Sequence, residues 1–228
     1  MINKKRGFTL AEVLITLGII GVVASMTIPT LIQNHRKAEL RTGLNAAYSI
    51  ISQATAKMAQ EENQSLFYAY AGTENSFKPE FMKYFKTIKD CNKIDCNSAD
   101  KYANFANNNT NSAYASFLSN GQFVLANGMT IFISNGGVAD DSQMNSSNYG
   151  IFISVDVNGH EKNPNRWGYD LFTFELMKNN TVKPVGAPGG HPNWGDSKYC
   201  GKYGNFTNNG MSCAARALSE DEFWDELD

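Results

Sequence analysis

The chain has 228 residues, with 20 Lys+Arg against 22 Asp+Glu for a formal net charge of −2, and only 18% of its residues are charged. That balance excludes the Lys/Arg excess a nucleic-acid binder needs against phosphate, and a mean hydropathy of −0.36 is too low for several membrane spans. The averages conceal an asymmetry. Residues 13–34 contain no Asp, Glu, Lys, Arg or His, whereas the 26 Asn and 19 Gly fall almost wholly after residue 42.

Lys4, Lys5 and Arg6 precede the apolar run. As a helix, that run extends about 33 Å, enough to cross a hydrocarbon core of about 30 Å. Three readings compete: a secretory signal peptide cut near Val22-Val23-Ala24, a plain membrane anchor, and a class III signal whose leader is removed before the apolar helix. Glu12 discriminates among them. A carboxylate at the head of a membrane-length run is expensive in lipid, and an ordinary signal peptide has no use for it. The string Arg6-Gly7-Phe8-Thr9-Leu10-Ala11-Glu12-Val13-Leu14-Ile15 closely resembles the prepilin motif of type IV pilins and type II secretion pseudopilins. Gly7 falls at the cleavage position, Phe8 at the new N-terminus and Glu12 at the acidic position. Pro29 falls where those proteins carry a helix-kinking proline.

The resemblance implies a division into a basic leader at 1–7, a transmembrane and assembly helix at 8–33, an amphipathic half of that helix at 34–62, and an extracytoplasmic head at 63–228. It implies that a prepilin peptidase cuts Gly7–Phe8 and that the Phe8 amine is methylated. Loss of the leader moves the net charge from −2 to −5, because three cations leave with it. Glu12 then pairs with the Phe8 ammonium of a neighbouring subunit. An unpaired charge in hydrocarbon costs several kcal/mol, so extraction into a filament is favoured when partners satisfy one another. The implied partners are the peptidase, other pilin or pseudopilin subunits and an inner-membrane assembly platform, for a single-pass protein of the inner membrane. Charge alone orients the span weakly, since Arg36, Lys37 and Arg41 follow it.

Beyond Pro29, which should kink the helix, apolar residues recur at Leu40, Leu44, Ala47, Ile51, Ala54 and Met58, one stripe of an amphipathic helix ending near residues 61–63. Gly18, Gly21 and Ser25 give a small-residue face in the first half. Ser76 with Pro79-Glu80 reads as a helix start, and Phe81, Tyr84, Phe85 and Ile88 continue that helix towards Cys91. Residues 104–112 are an Asn-rich loop. Asn127-Gly128 between 122–126 and 129–133 is a hairpin signal, and 151–155 and 171–176 read as further strands. A long N-terminal helix, half membrane-spanning and half amphipathic, packed on a small antiparallel sheet is an α+β arrangement. It agrees with the pilin-like fold. At the end, Ser219 with Glu222 reads as a capping box that starts a docked helix carrying Phe223, Trp224 and Leu227 on one face.

The segment from Asp156-Val157-Asn158-Gly159 to Gly168-Tyr169-Asp170 resembles the C-terminal part of pseudopilin-like sequences. Asp156, Asn158 and Asp170 are oxygen ligands for calcium in one reading and Asx-turn residues in the other. Cys91/Cys96 and Cys200/Cys213 pair by proximity, with the other two connectivities open. Behind a membrane-targeting N-terminus, disulfides in an oxidising compartment are preferred to zinc. His35, His160 and His191 stand apart, no nucleophile or phosphate-cradling pattern occurs, and no enzymatic role or cofactor is expected. The expected function is a structural subunit of a type II secretion pseudopilus or type IV pilus-like filament. The alternative is a minor pilin acting as a binding module in adhesion or DNA uptake.

Overall fold

The computed structural model describes residues 7–73, 75–93, 95–96, 101–106, 115–118, 120–136, 150–191, 199–201, 203 and 209–227. The chain divides into two compact units, Met1–Glu39 and Leu40–Asp228. One helix, α1 (Leu10–Glu62), contributes to both. Its second part carries the stripe expected from the sequence: Leu40, Leu44, Ala47, Ile51, Ala54 and Met58 are all buried, with Thr55 beside them. Spacings of three and four place these side chains on one face.

That face meets a six-stranded antiparallel sheet whose strands follow one another in chain order. The strands are β1 (Thr87–Asp90), β2 (Gln122–Leu125), β3 (Thr130–Gly136), β4 (Gly150–Asp156), β5 (Leu171–Leu176) and β6 (Val182–Pro184). Phe123, Ile131, Ile153, Phe172 and Phe174 join the α1 stripe in one core, and the Tyr48 ring lies parallel to Phe174 at 5.5 Å. Every residue of β2, β4 and β5 is buried. The second face is covered too: Phe132, Phe152 and Leu171 pack under Tyr102, Phe117, Leu118, Trp167 and Met211. This is an α+β fold consistent with the pilin-like arrangement.

Three details differ from the sequence expectation. The helix at Ser76 does not run towards Cys91. Element α3 (Phe77–Met82) ends where the amides of Lys83, Tyr84 and Phe85 bond the carbonyls three residues back. The chain then pairs with β2 as an edge strand. The cause is tertiary: Phe77, Phe81 and Phe85 stack in sequence, and Phe85 reaches Phe123 on β2 at 5.6 Å. Ile88, counted on the helical stripe, is 66% exposed where the β1 register shifts. Secondly, four residues, Ala126-Asn127-Gly128-Met129, and not two, connect β2 to β3. Gly128 N–H donates to Leu125 O, Leu125 N–H donates to Met129 O, and Gly128 takes φ +90°.

Thirdly, Ser219 caps nothing. It closes α5 (Cys213–Ser219), with its hydroxyl donating to Ala215 O at 2.8 Å, and Glu222 lies in a separate 3-10 turn, Glu222–Glu226. Phe223, Trp224 and Leu227 are nevertheless buried in the main core, and Trp224 Nε1 donates to Ala217 O at 2.9 Å. Two short helices, α2 (Leu66–Tyr70) and α4 (Ala115–Leu118), complete the described elements. Of the Asn-rich stretch 104–112, residues 107–112 lie outside the described residues.

The β4–β5 connection seats against α1 at a glycine. A Cβ on Gly43 would stand 3.2 Å from Val157 Cβ, a tighter approach than ordinary van der Waals contact. Gly159, at φ +90°, is closer still to the hairpin tip, where a Cβ would meet Gly128 O at 2.4 Å. Disulfides join Cys91 to Cys96 and Cys200 to Cys213.

Candidate functional site

The N-terminal site is built by the start of α1. Gly7, Phe8 and Thr9 precede the helix, whose first residue is Leu10. Thr9 and Glu12 form a reciprocal capping box. Thr9 N–H donates to Glu12 Oε2 at 2.8 Å, Thr9 Oγ1 donates to the same oxygen at 2.8 Å, and Glu12 N–H donates to Thr9 Oγ1 at 3.3 Å. Two of the amides that every helix start leaves unpartnered are thereby satisfied. The negative carboxylate also sits at the positive end of the helix dipole. The signal for this motif stood in the sequence as Thr9-Leu10-Ala11-Glu12. The same Ser/Thr-x-x-Glu pattern misled at Ser219, where an existing helix ends.

From Glu12 onward the unit presents apolar surface: Leu14 is 61% exposed, Ile20 63% and Met26 72%. Three hydroxyls in this stretch bond within the helix, Thr16 to Val13 O at 2.9 Å, Ser25 to Val22 O at 2.8 Å and Thr27 to Val23 O at 3.0 Å. Internal satisfaction of that kind is what a hydrocarbon surrounding demands. Among the described residues, α1 is the one helix long and apolar enough to cross a membrane. Pro29 lies inside it, where the missing amide leaves the Ser25 carbonyl without its usual donor. Around Gly18 and Gly21 an added Cβ would meet nothing within 4 Å, so that face is open to close approach by another helix.

In the head, the structure brings Asp156, Asn158 and Asp170 together. Asp156 Oδ1 accepts from the amides of Asn158 and Gly159 at 3.2 and 2.9 Å, and Oδ2 accepts from Tyr102 OH at 2.7 Å. Asp170 accepts from the amides of Asn165 at 2.8 Å and Arg166 at 2.6 Å. Burial and then the charge of Asp170 push the Asp156 carboxyl well above the ordinary carboxylate range. Burial pushes Asp170 up as well, against the amides that bond it. Calcium takes about six to eight oxygens. Here all four carboxylate oxygens already accept from the chain, and among the described residues no group of three or more His, Cys, Asp or Glu converges. The three side chains bond the backbone of their own loop. They close the 156–170 loop as an Asx turn and a loop cap. His160 bonds Thr130 Oγ1 at 2.8 Å, and His191 is buried with its ring against Phe152.

Residues 2–28 match a family model described as the prokaryotic N-terminal methylation motif. The chain therefore carries the prepilin-type motif of type IV pilins and pseudopilins, on a long helix packed against an antiparallel sheet. The motif supports a type IV pilin-like or pseudopilin subunit, processed by prepilin peptidase, anchored in a membrane and assembled with other pilin subunits. Neither curated proteins nor solved structures give a match to this chain.

Proposed function

We propose that the chain is a structural subunit of a type II secretion pseudopilus or a type IV pilus-like filament, held in the inner membrane with its head outside the cytoplasm. The observation that carries this reading is the placement of the motif. The scissile Gly7–Phe8 bond lies outside the helix, and Glu12 stands at the tip of an exposed apolar run. Cleavage removes residues 1–7 and exposes the Phe8 amine for methylation. The segment 8–33 then serves as membrane anchor and, after extraction, as the packing core of the filament. Residues 34–62 and the head at 63–228 form its outer layer. Two disulfides support an extracytoplasmic head, because thiols in the cytoplasm are kept reduced.

The role is mechanical and not catalytic. Burying an unpaired carboxylate or ammonium in an apolar bundle costs several kcal/mol, so subunits add where Glu12 meets a Phe8 amine. Glu12→Ala is expected to leave cleavage intact and to abolish filament assembly, read by immunoblot for the processed form and by electron microscopy for filaments. Normal filaments from that variant would refute the pairing. Deletion of the gene, followed by a census of secreted proteins and of surface filaments, separates a secretion role from a surface one.

A further inference from the structure

Two opposite charges in the head stand side by side without pairing. Glu175 on β5 lies directly across from Lys183 on β6, and side chains so placed start about 5 Å apart on one face of the sheet. Among the described residues no ion pair joins them. The chain at 188–191 holds each one separately: Lys183 Nζ donates to Pro188 O and Gly189 O, both at 3.0 Å, and Glu175 Oε2 accepts from His191 N–H at 2.8 Å. An ammonium has three donors and a carboxylate two acceptor oxygens. One N–H of Lys183 and Oε1 of Glu175 are therefore left without a described partner. Glu175 is only 6% exposed, and burial raises its carboxyl above the ordinary value while Lys183 pulls it down. A buried carboxylate satisfied on one oxygen alone is costly.

Both residues line a cavity of about 290 Å³ whose apolar wall includes Phe67, Leu176 and Met177. Lys178 also lines it, with Nζ 5.9 Å from the centre of the Phe67 ring. Small-ligand sites begin at about 300 Å³, so the space suits a ligand the size of one residue. We propose that this cavity binds a free apolar α-amino acid, with the ligand's ammonium on Glu175 Oε1, its carboxylate on Lys183 and its side chain against Phe67 and Met177. A zwitterion supplies both missing partners at once, through charge-assisted hydrogen bonds. A simple cation or anion satisfies one of the two residues and is repelled by the other. Lys178 adds attraction for the carboxylate end. The site lies wholly in the head, apart from the helix that carries the methylation motif, and goes beyond the structural role proposed above.

The test is equilibrium dialysis of the full chain in non-ionic detergent micelles, near neutral pH, against radiolabelled leucine and phenylalanine, with empty micelles as the blank. Saturable binding of at least one of them is expected. Two unlabelled competitors of the same shape separate the contacts: the matching α-hydroxy acid lacks the ammonium, and the matching amino amide lacks the carboxylate. Each is expected to compete about tenfold or more weakly than the amino acid itself. Glu175→Gln keeps an oxygen for His191 N–H but loses the charge, and it is expected to weaken binding by a similar factor. An unchanged circular dichroism spectrum verifies its fold, and the competitors give the same answer on the parent chain if it does not fold. No saturable binding of either amino acid up to about 10 mM, competitors as strong as the amino acid, or full binding by a folded Glu175→Gln chain would overturn the proposal.

Discussion

The buried pair Asp156 and Asp170 gives the head a pH dependence whose sign runs opposite to ordinary acid denaturation. Both carboxyls are fully buried, and both titrate above the value of 3.8 that an unperturbed Asp carries. A group whose folded value is raised binds its proton more tightly in the native state. Its stabilisation is therefore complete below the unfolded value and is lost as pH rises through the folded one. Near neutrality the pair holds a proton that the unfolded chain has already released. Each retained proton makes unfolding easier by about 1.4 kcal/mol per pH unit, or about 2.7 kcal/mol between pH 5 and pH 7. Glu175, also raised by burial, adds in the same direction. Asp156→Asn removes the like-charge conflict while keeping an oxygen for the amides of Asn158 and Gly159. The expected result, from urea unfolding of the full chain in micelles at pH 5, 6 and 7, is a stability that declines with pH in the parent and much less in the variant. A parent whose stability is flat or rises over that range, or a variant with the same slope, would refute the reasoning.

Leu44 is fully buried on the α1 stripe, so Leu44→Ala is expected to cost about 2–5 kcal/mol, measured as a fall in the urea midpoint. A loss below about 1 kcal/mol would mean that the stripe does not carry the α1–sheet packing. Replacing Cys200 and Cys213 together by Ser opens a loop of sequence separation 13 and is expected to cost about 3 kcal/mol, checked by thermal melting against the parent. Calcium at millimolar concentration is expected to leave the melting temperature unchanged, and a rise that Asp170→Asn removes would show that the 156–170 loop does hold a cation after all. Gly159→Ala is expected to destabilise the head by more than about 1 kcal/mol, since its Cβ would meet Gly128 O at 2.4 Å at a backbone angle alanine avoids.

Periodicity made the amphipathic half of α1 and strands β4 and β5 legible, because burial on one face imposes a spacing that the sequence must obey. It failed between Tyr84 and Cys91, where Phe81, Phe85 and Ile88 keep helical spacing but the Phe85–Phe123 contact draws the chain into the sheet. Local pattern cannot report a partner some forty residues away. The second covered face was hidden for a related reason. Tyr102, Trp167 and Met211 come from separate loops, and no period links them. At the N-terminus the methylation motif was readable, since the residues that carry it lie together in one short stretch of chain. What the fold added is the capping geometry of Thr9, which gives Glu12 a partner within its own chain.

The most direct test of the central reading is the mature N-terminus of the protein, determined by intact mass and N-terminal sequencing after co-expression with prepilin peptidase. The expected chain begins at Phe8, with one methyl group on its amine. A chain that begins near Ser25, or that keeps residues 1–7 in the presence of active peptidase, would contradict it.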